Sequence, residues 1–437
     1  MTSNAWLNLV TTVRRLAFAA AAASLTVSSA MAFDPSPSKN PSATTSRGVL
    51  NVMSYGAVGD GDADDAAAIA AAVKDANNLV LSGRSPVVYF PEGIYRISSP
   101  PPAFVGHVGI RGDGPYRSYL KIDPALSGDI FSWSESWMGA SGRVSDYTLD
   151  IKKQRHGASV EGIMVVGDRR APREQNVFVF YDRNDNVLFR DVAVNYINGR
   201  CLYFGATKAT DKAYVRESQF FNVQCRNTGS ANVPAVEISS AGDGDASNQL
   251  YFYDLKIVFP FGTGLKIGTD TPINSAIRNV FFSGLMVHGI AHPNPPIAKD
   301  LVVIGGKGGK GKVRDVTIQG FSGNRSYEGY YTLALDADDP FTMPFNIDVS
   351  GTIGSGANGV NIGAGRSVRL KIQGMAVGGT AIRVGPSPLI GKDITVDVND
   401  EQNRLRYDLD KTAEGKVRFL GTGSVSSNDT RRVNPTR

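Results

Sequence analysis

Apolar positions follow two distinct rhythms along the chain. From about residue 185 onward, short β-branched and aromatic runs recur at intervals of roughly 20–35 residues, the period of a solenoid. NVLFRDVAVNYINGRCLYFG (186–205), QFFNVQCRNTGSANVPAVEIS (219–239), LYFYDLKIVFPFGTGLKIG (250–268) and VFFSGLMVHGIAHPNPPIAKDLVVIG (280–305) open the series. VTIQGFSGNRSYEGYYTLALD (316–336), FNIDVSGTIGSGANGVNIG (345–363) and LKIQGMAVGGTAIRVG (370–385) complete it. Each unit holds three runs. Two residues separate the first from the second: Arg190-Asp191, Phe221-Asn222, Tyr253-Asp254, Ser283-Gly284, Gln319-Gly320 and Ser350-Gly351. The other two connections are longer and variable. One tight corner and two loose ones predict the coil of a parallel β-helix, three strands per coil, with strands of successive coils paired in parallel around an apolar column.

The second rhythm comes earlier. AAAIAAAVKDA (66–76) is a strong helix former, and VVYFPEGIYRIS (87–98) reads as strand, turn and strand. In front of the helix, DGDADD places Asp60, Asp62, Asp64 and Asp65 within six residues. A calcium loop of the EF-hand type needs Gly after the third acidic position and Glu at its end, where this chain has Asp65 and Ala71. The carboxylates are therefore expected to start the helix. Gly59 and Gly61 make a tight turn, and Asp64 or Asp65 caps the helix and meets its positive end. The helix should seal one end of the solenoid.

The stretch from Tyr55 to Val73, followed by 87–98, resembles the opening signature of the pectate-lyase superfamily, the pectin-lyase-like right-handed parallel β-helix proteins. That signature has the shape Y-G-A-x-G-D-G-x-x-D-D-x-x-A-I-x-x-A, followed by a strand ending F-P-x-G-x-Y. The resemblance covers about residues 48–400. It implies an all-β fold, a single-stranded right-handed parallel β-helix with an N-terminal capping α-helix. It names no substrate, because lyases, hydrolases, epimerases and viral tailspikes share this opening.

Charge and composition narrow the surroundings. The formal charge of the 437 residues is +5, which falls to +3 once Arg14 and Arg15 are removed with the leader; the cations are dispersed, which argues against a nucleic-acid partner. Residues 1–32 read as an export signal, with LAFAAAAASLTV as its apolar core and Ala30-Met31-Ala32 as its cleavage site. The apolar run is too short for a permanent anchor. Residues 33–47 form a Pro/Ser-rich linker, 48–410 the β-helix, and 411–437 a cap and frayed tail. The expected location is periplasmic or secreted, with no stable membrane anchor and with the oligomeric state, monomer or trimer, left open. Cys201 and Cys225 can pair in such a compartment, their spacing being like that of the coil, but two small buried thiols is the favoured expectation, because a chain this long needs no staple.

Candidate chemistry follows from the corners. The third run lies between the two loose ones and has the deepest walls, which makes it the floor of a groove for a long ligand. The period of two points Leu202, Phe204, Val236, Ile238, Leu265 and Ile267 inward. Tyr203, Glu237 and Lys266 then form an outward ladder on successive coils. The resemblance points to the same face. The loose corners add Arg200, His288 and Arg325 on one side, with Arg226 and His292. On the other side they add Asp182, Asp243 and Asp245, with Asp211 and Asp270. Carboxylates, guanidinium groups and aromatic faces in a groove suit an acidic polysaccharide as partner.

Two reactions fit these residues. Glycoside hydrolysis needs two carboxylates, which Glu237 with Asp243 or Asp245 supplies, Lys266 tuning Glu237. β-Elimination needs a base, Lys266 or His288, and a cation to neutralise the sugar carboxylate, Arg200, Arg226 or a bound Ca²⁺. No cofactor is required by these residues, and no metal ligands are assigned. The polygalacturonase set of N-x-D, paired Asp, G-H-G and R-x-K is not present together, nor is the acidic metal cluster of pectate lyases. The alternatives are an ordinary Glu237–Lys266 cross-strand pair on a solvated face and, for the whole protein, a non-catalytic polysaccharide-binding or surface-structural β-helix.

Overall fold

The computed structural model describes residues 48–420, apart from 83, 135–156, 182, 206–213, 241–246, 270–275, 291–297, 307–311 and 400–405. The proposed leader and linker lie outside the described residues, as do Asp182, Asp211, Asp243, Asp245, Asp270 and His292.

Among the described residues, the strands form one sheet of 17 and one of 11, and every ladder between strands is parallel. The chain is a parallel β-helix, as the repeat predicts. The structure redraws the coil, however. The first and second runs are a single strand bent in the middle, as in Leu188–Asn195 and Tyr214–Arg226. The bend falls at the second residue of each tight corner, where φ turns positive: 53° at Asp191, 48° at Asn222, 61° at Asp254, 78° at Gly284 and 68° at Gly320. Asp, Asn and Gly are the residues that reach this left-handed conformation at least cost. Asn222 donates from Nδ2 to Asp191 Oδ1 at 2.8 Å, so the corners of adjacent coils are tied together.

A second series of left-handed residues was not foreseen. Asn186, Glu217, Gln249, Asn279, Asp315 and Asn346 take φ between 51° and 56° just before each first run. Ahead of them the chain is already paired: Arg183–Asp185 lies beside Tyr214–Arg216, and Arg216, Asn248, Arg278 and Arg314 are in register. The connection from third run to first, expected to be loose, therefore ends in a short fourth face. Its inward residues Val215, Ile277 and Val313 are buried.

Aromatic rings fill the column. Phe220 and Phe252 stack at 4.4 Å between centroids, and Phe252 and Phe282 at 4.7 Å. All three are fully buried. Each occupies the same pleat position on successive coils, and burying such a side chain contributes about 1.5–3 kcal/mol.

Helix Ala66–Leu81 presents Ile69, Ala72, Val73, Ala76 and Val80 to this core, an apolar stripe at helical spacing. It packs on strands Val49–Asn51 and Val87–Phe90. Asp65 occupies the N-cap, but its side chain makes no cap hydrogen bond. Its Oδ1 accepts from Val58 N–H at 2.6 Å and its Oδ2 from Arg96 N–H at 3.2 Å. Asp64 instead receives the first-turn N–H of Ala66, at 3.2 Å. Asp60 closes its own turn by accepting from Asp62 and Ala63, both at 2.9 Å. Asp60, Asp64 and Asp65 are thus occupied by backbone donors, with the Ser98 hydroxyl also donating to Asp64.

The cysteines correct the expectation of two free thiols. Cys201 and Cys225 form a disulfide, with Cα atoms 5.8 Å apart. Stacking brings the start of one third run beside the second run of the next coil.

Candidate functional site

The third-run strands Leu202–Phe204, Val236–Ile238 and Leu265–Ile267 pair in register, which aligns Tyr203, Glu237 and Lys266 across consecutive coils. Val179 precedes them, and Val303, Ala334, Asn361 and Arg383 continue the row. The inward neighbours Leu202, Phe204, Val236, Ile238, Leu265 and Ile267 sit in the core.

The row is not a solvated face. Tyr203 is 9% exposed, Glu237 7% and Lys266 8%. Polar groups held this deep have to be satisfied. Glu237 Oε2 accepts from Arg200 Nε at 2.7 Å, so its ion pair reaches back to the preceding coil rather than resting on Lys266 alone. The Arg200 guanidinium lies 4.3 Å from the centre of the Tyr203 ring and donates from Nη1 to Asn176 Oδ1 at 3.2 Å. Arg200, expected on the wall, is thus part of the floor.

The network extends to residues that the sequence reading passed over. Asn176 and Asp129 are in register on Gln175–Phe180 and Gly128–Ser134, and Asn176 Nδ2 donates to Asp129 Oδ1 at 2.8 Å. Tyr181 donates its hydroxyl to the other oxygen of Asp129. The available signal was the alternation in GDIFSWS and QNVFVF, which belongs to two earlier coils of the same face. Asp129 is a second carboxylate on this surface, joined to Glu237 through Asn176 and Arg200.

Burial and nearby charge set the tyrosines. Desolvation, with the Glu237 carboxylate adding to it and Arg200 opposing, pushes the Tyr203 phenol up to about 12. Burial and the hydrogen bond to Asp129 push Tyr181 up as well. Both phenols are neutral donors near neutral pH.

His288 and Arg325 belong to another neighbourhood. His288 ends the strand Ala276–His288, in register with Asn324, and its Nε2 lies 3.3 Å from Ser322 Oγ. Burial, with the nearby Arg325 charge, lowers its pKa. Among the described residues, no hydrogen bond or ion pair joins this pair to Glu237. Close to this corner, burial brings Arg169 down to about 10, and its guanidinium lies over the ring of Phe261. Arg169 also lines a cleft of about 750 Å³ with Tyr119, Lys121, Val166 and Tyr196, outside the Tyr203 row. Among the described residues, no three His, Cys, Asp or Glu side chains converge to hold a metal ion.

The family model described as "Rhamnogalacturonase A/epimerase, pectate lyase-like" matches residues 49–331. No curated protein matches the chain. Among solved structures, the chain is similar to ORF18 of Geobacillus virus E2, at 17% identity and TM-score 0.45 over 77% of this chain. It spans 61% of that viral protein's length. It is also similar to the A-module of mannuronan C-5 epimerase AlgE6 of Azotobacter vinelandii, at 15% identity and TM-score 0.41, covering 86% of this chain and 97% of that one. A third likeness is to the catalytic domain of Agl-KA, at 14% identity and TM-score 0.49, covering 88% of this chain and 69% of that one. Identities this low carry no chemistry from one chain to another.

Proposed function

The chain belongs to the rhamnogalacturonase A/epimerase, pectate lyase-like family, and from that premise we propose that it is an exported protein that binds an acidic polysaccharide along the third-run face and cleaves it. The observation that carries this reading is the buried, register-aligned row of Tyr203, Glu237 and Lys266, with Arg200 bonded to Glu237. Charged groups held this deep carry a desolvation cost that their mutual hydrogen bonds offset only in part, which makes the row a candidate for a binding role.

Tyr203, through its ring edge and hydroxyl, and Lys266 orient the sugar chain. Arg200 holds the Glu237 carboxylate and Asn176 in fixed positions. Hydrolysis uses Glu237 with a second carboxylate, either Asp129 or one from the 241–246 segment that holds Asp243 and Asp245. Elimination uses Lys266 as base toward the proton beside the uronate carboxylate, with Arg200 as the charge that stabilises the resulting anion; the anion then collapses to a C=C bond as the glycosidic C–O bond on the next carbon breaks, and the departing oxygen takes a proton from solvent.

The test is incubation with a panel of acidic polysaccharides, following absorbance near 235 nm and reducing ends. Unsaturated ends identify elimination and reducing ends alone identify hydrolysis. Retention on the polymer without either shows a binding protein. An activity that survives unchanged in both Glu237→Gln and Lys266→Ala removes the site from this face.

A further inference from the structure

The short fourth face carries a row of arginines that the Tyr203 surface does not use. Pairing in register sets Asp185, Arg216, Asn248, Arg278, Arg314, Phe345 and Arg366 on successive coils. They share one pleat position. The alternate position carries Val215, Ser247, Ile277 and Val313, all buried, so the arginine row points away from the core. Adjacent coils rise by ~4.8 Å, so the row from Arg216 to Arg366 extends for about 24 Å along the solenoid.

Among the described residues, the acids on this face do not balance the row. Asp185 is taken by Arg216, at 2.8 Å and 3.1 Å. Glu217 lies on the next, left-handed position, exposed. Asp315 lies 3.8 Å from Arg314 and also accepts from Asn346 Nδ2 at 2.7 Å. Among the described residues Arg278 has no carboxylate partner, and its Nε is buried without a hydrogen-bond acceptor. Arg366 has the ring of Phe345 as its neighbour, 5.4 Å from the guanidinium carbon. Lys312 stands exposed one pleat back from Arg314. Arg278 and Arg314 are directly paired in register, and like charges so placed repel.

We propose that this row is a second binding track, which holds a carboxylate-bearing polysaccharide along the solenoid axis. Guanidinium forks match carboxylates in two-point geometry, and arginines one or two coils apart along the solenoid recognise a polymer that carries repeated carboxylates. Exposed Phe345, 38% accessible, adds an apolar surface between Arg314 and Arg366 for the face of a sugar ring. The proposal rests on the acidic-polysaccharide reading for its ligand class. It assigns a separate place on the molecule, outside the cleavage site.

The experiment measures binding of the mature chain to polygalacturonate over a range of NaCl concentrations, with neutral dextran and single-stranded DNA as comparison polymers. Its variants are Arg278→Gln/Arg314→Gln/Arg366→Gln, the milder Arg314→Gln/Arg366→Gln at exposed positions, and Glu237→Gln. The triple variant is expected to bind polygalacturonate at least about tenfold more weakly at low salt, with the log–log salt slope reduced by about two. The double variant, whose side chains are exposed and make only surface contacts, should show the larger part of that loss at near wild-type thermal stability. Glu237→Gln, which alters the third-run face, gives that site's share of the binding, and the loss in the arginine variants should exceed it. Unchanged affinity in both arginine variants overturns the track and leaves the cleavage site untouched. Equal affinity for DNA at matched salt overturns the ligand class. Salt-dependent binding without cleavage of any polysaccharide overturns the proposed reaction and leaves the track standing.

Discussion

Arg200 Nε sits 2.7 Å from Glu237 Oε2, and the two side chains are only 16% and 10% exposed. The bond spans 37 residues of sequence and joins neighbouring coils. A pair this deep is sensitive to loss of one partner, because the remaining charge keeps its desolvation cost without compensation.

Arg200→Ala and Glu237→Ala are each expected to destabilise by about 3 kcal/mol. The double variant should cost clearly less than the two single losses together. Urea unfolding of the four proteins in a double-mutant cycle gives the coupling. Additive losses would mean that the two groups are held by other contacts.

Phe252 stacks between Phe220 and Phe282, so Phe252→Ala opens a gap in the middle of the column. The expected loss is about 3–5 kcal/mol. Tyr253, its neighbour, points outward and is 37% exposed, and Tyr253→Ala should cost under about 1 kcal/mol. Thermal unfolding separates the two. Similar losses would contradict the inward and outward assignment.

Gly284 and Gly305 both have positive φ, 78° and 100°, but differ in space. A Cβ at Gly284 would meet its nearest atom at 3.6 Å, so Gly284→Ala carries backbone strain alone, about 1–2 kcal/mol. Gly284→Asn should recover most of that, since Asn222 already holds the equivalent corner. A Cβ at Gly305 would lie 2.0 Å from Asp336 O, so Gly305→Ala should cost well beyond the strain. Soluble yield and melting temperature rank the three variants, and a Gly305→Ala protein as stable as Gly284→Ala would refute the ordering.

The pH dependence has two limbs. His288 is held below its ordinary 6.5 by burial and by Arg325. The unfolded chain binds the proton first, so this contribution is complete above about pH 6.5 and is lost as pH falls through the folded value. Tyr203 is raised from 10.0 to about 12, so its contribution is complete below about pH 10 and is lost as pH rises toward 12. Stability measured against pH should lose part of its acid slope in His288→Asn and part of its alkaline slope in Tyr203→Phe. A slope unchanged in either variant assigns that limb to other groups.

The disulfide closes a separation of 24 residues. Cys201→Ala/Cys225→Ala is expected to lose about 3 kcal/mol through the freer unfolded chain. Unfolding of the variant and of the native chain under reductant should agree, both below the native chain without reductant. Equal stability in all three would show that the stacked coils alone hold these positions.

Much of the fold was legible in the residues because its rules are local. The tight corners read as Arg190-Asp191 and Phe221-Asn222 contain the left-handed residues, since φ preference belongs to the single residue. The inward positions Leu202, Val236 and Leu265 follow from pleat alternation, and the order of Tyr203, Glu237 and Lys266 follows from the repeat. The disulfide, the reach of Arg200 to Glu237, the place of Asp129 and the arginine row on the fourth face were not legible. Each depends on how one coil lies on the next, some 20 to 60 residues away along the chain. Burial of the Tyr203 row was equally hidden, because exposure is a property of what packs above a strand. The sequence by itself determined which residues turn, which point inward and how often the pattern recurs. Only the stacked structure decided which polar side chains meet, because hydrogen bonds and ion pairs act over a few ångströms and the register between coils sets those distances.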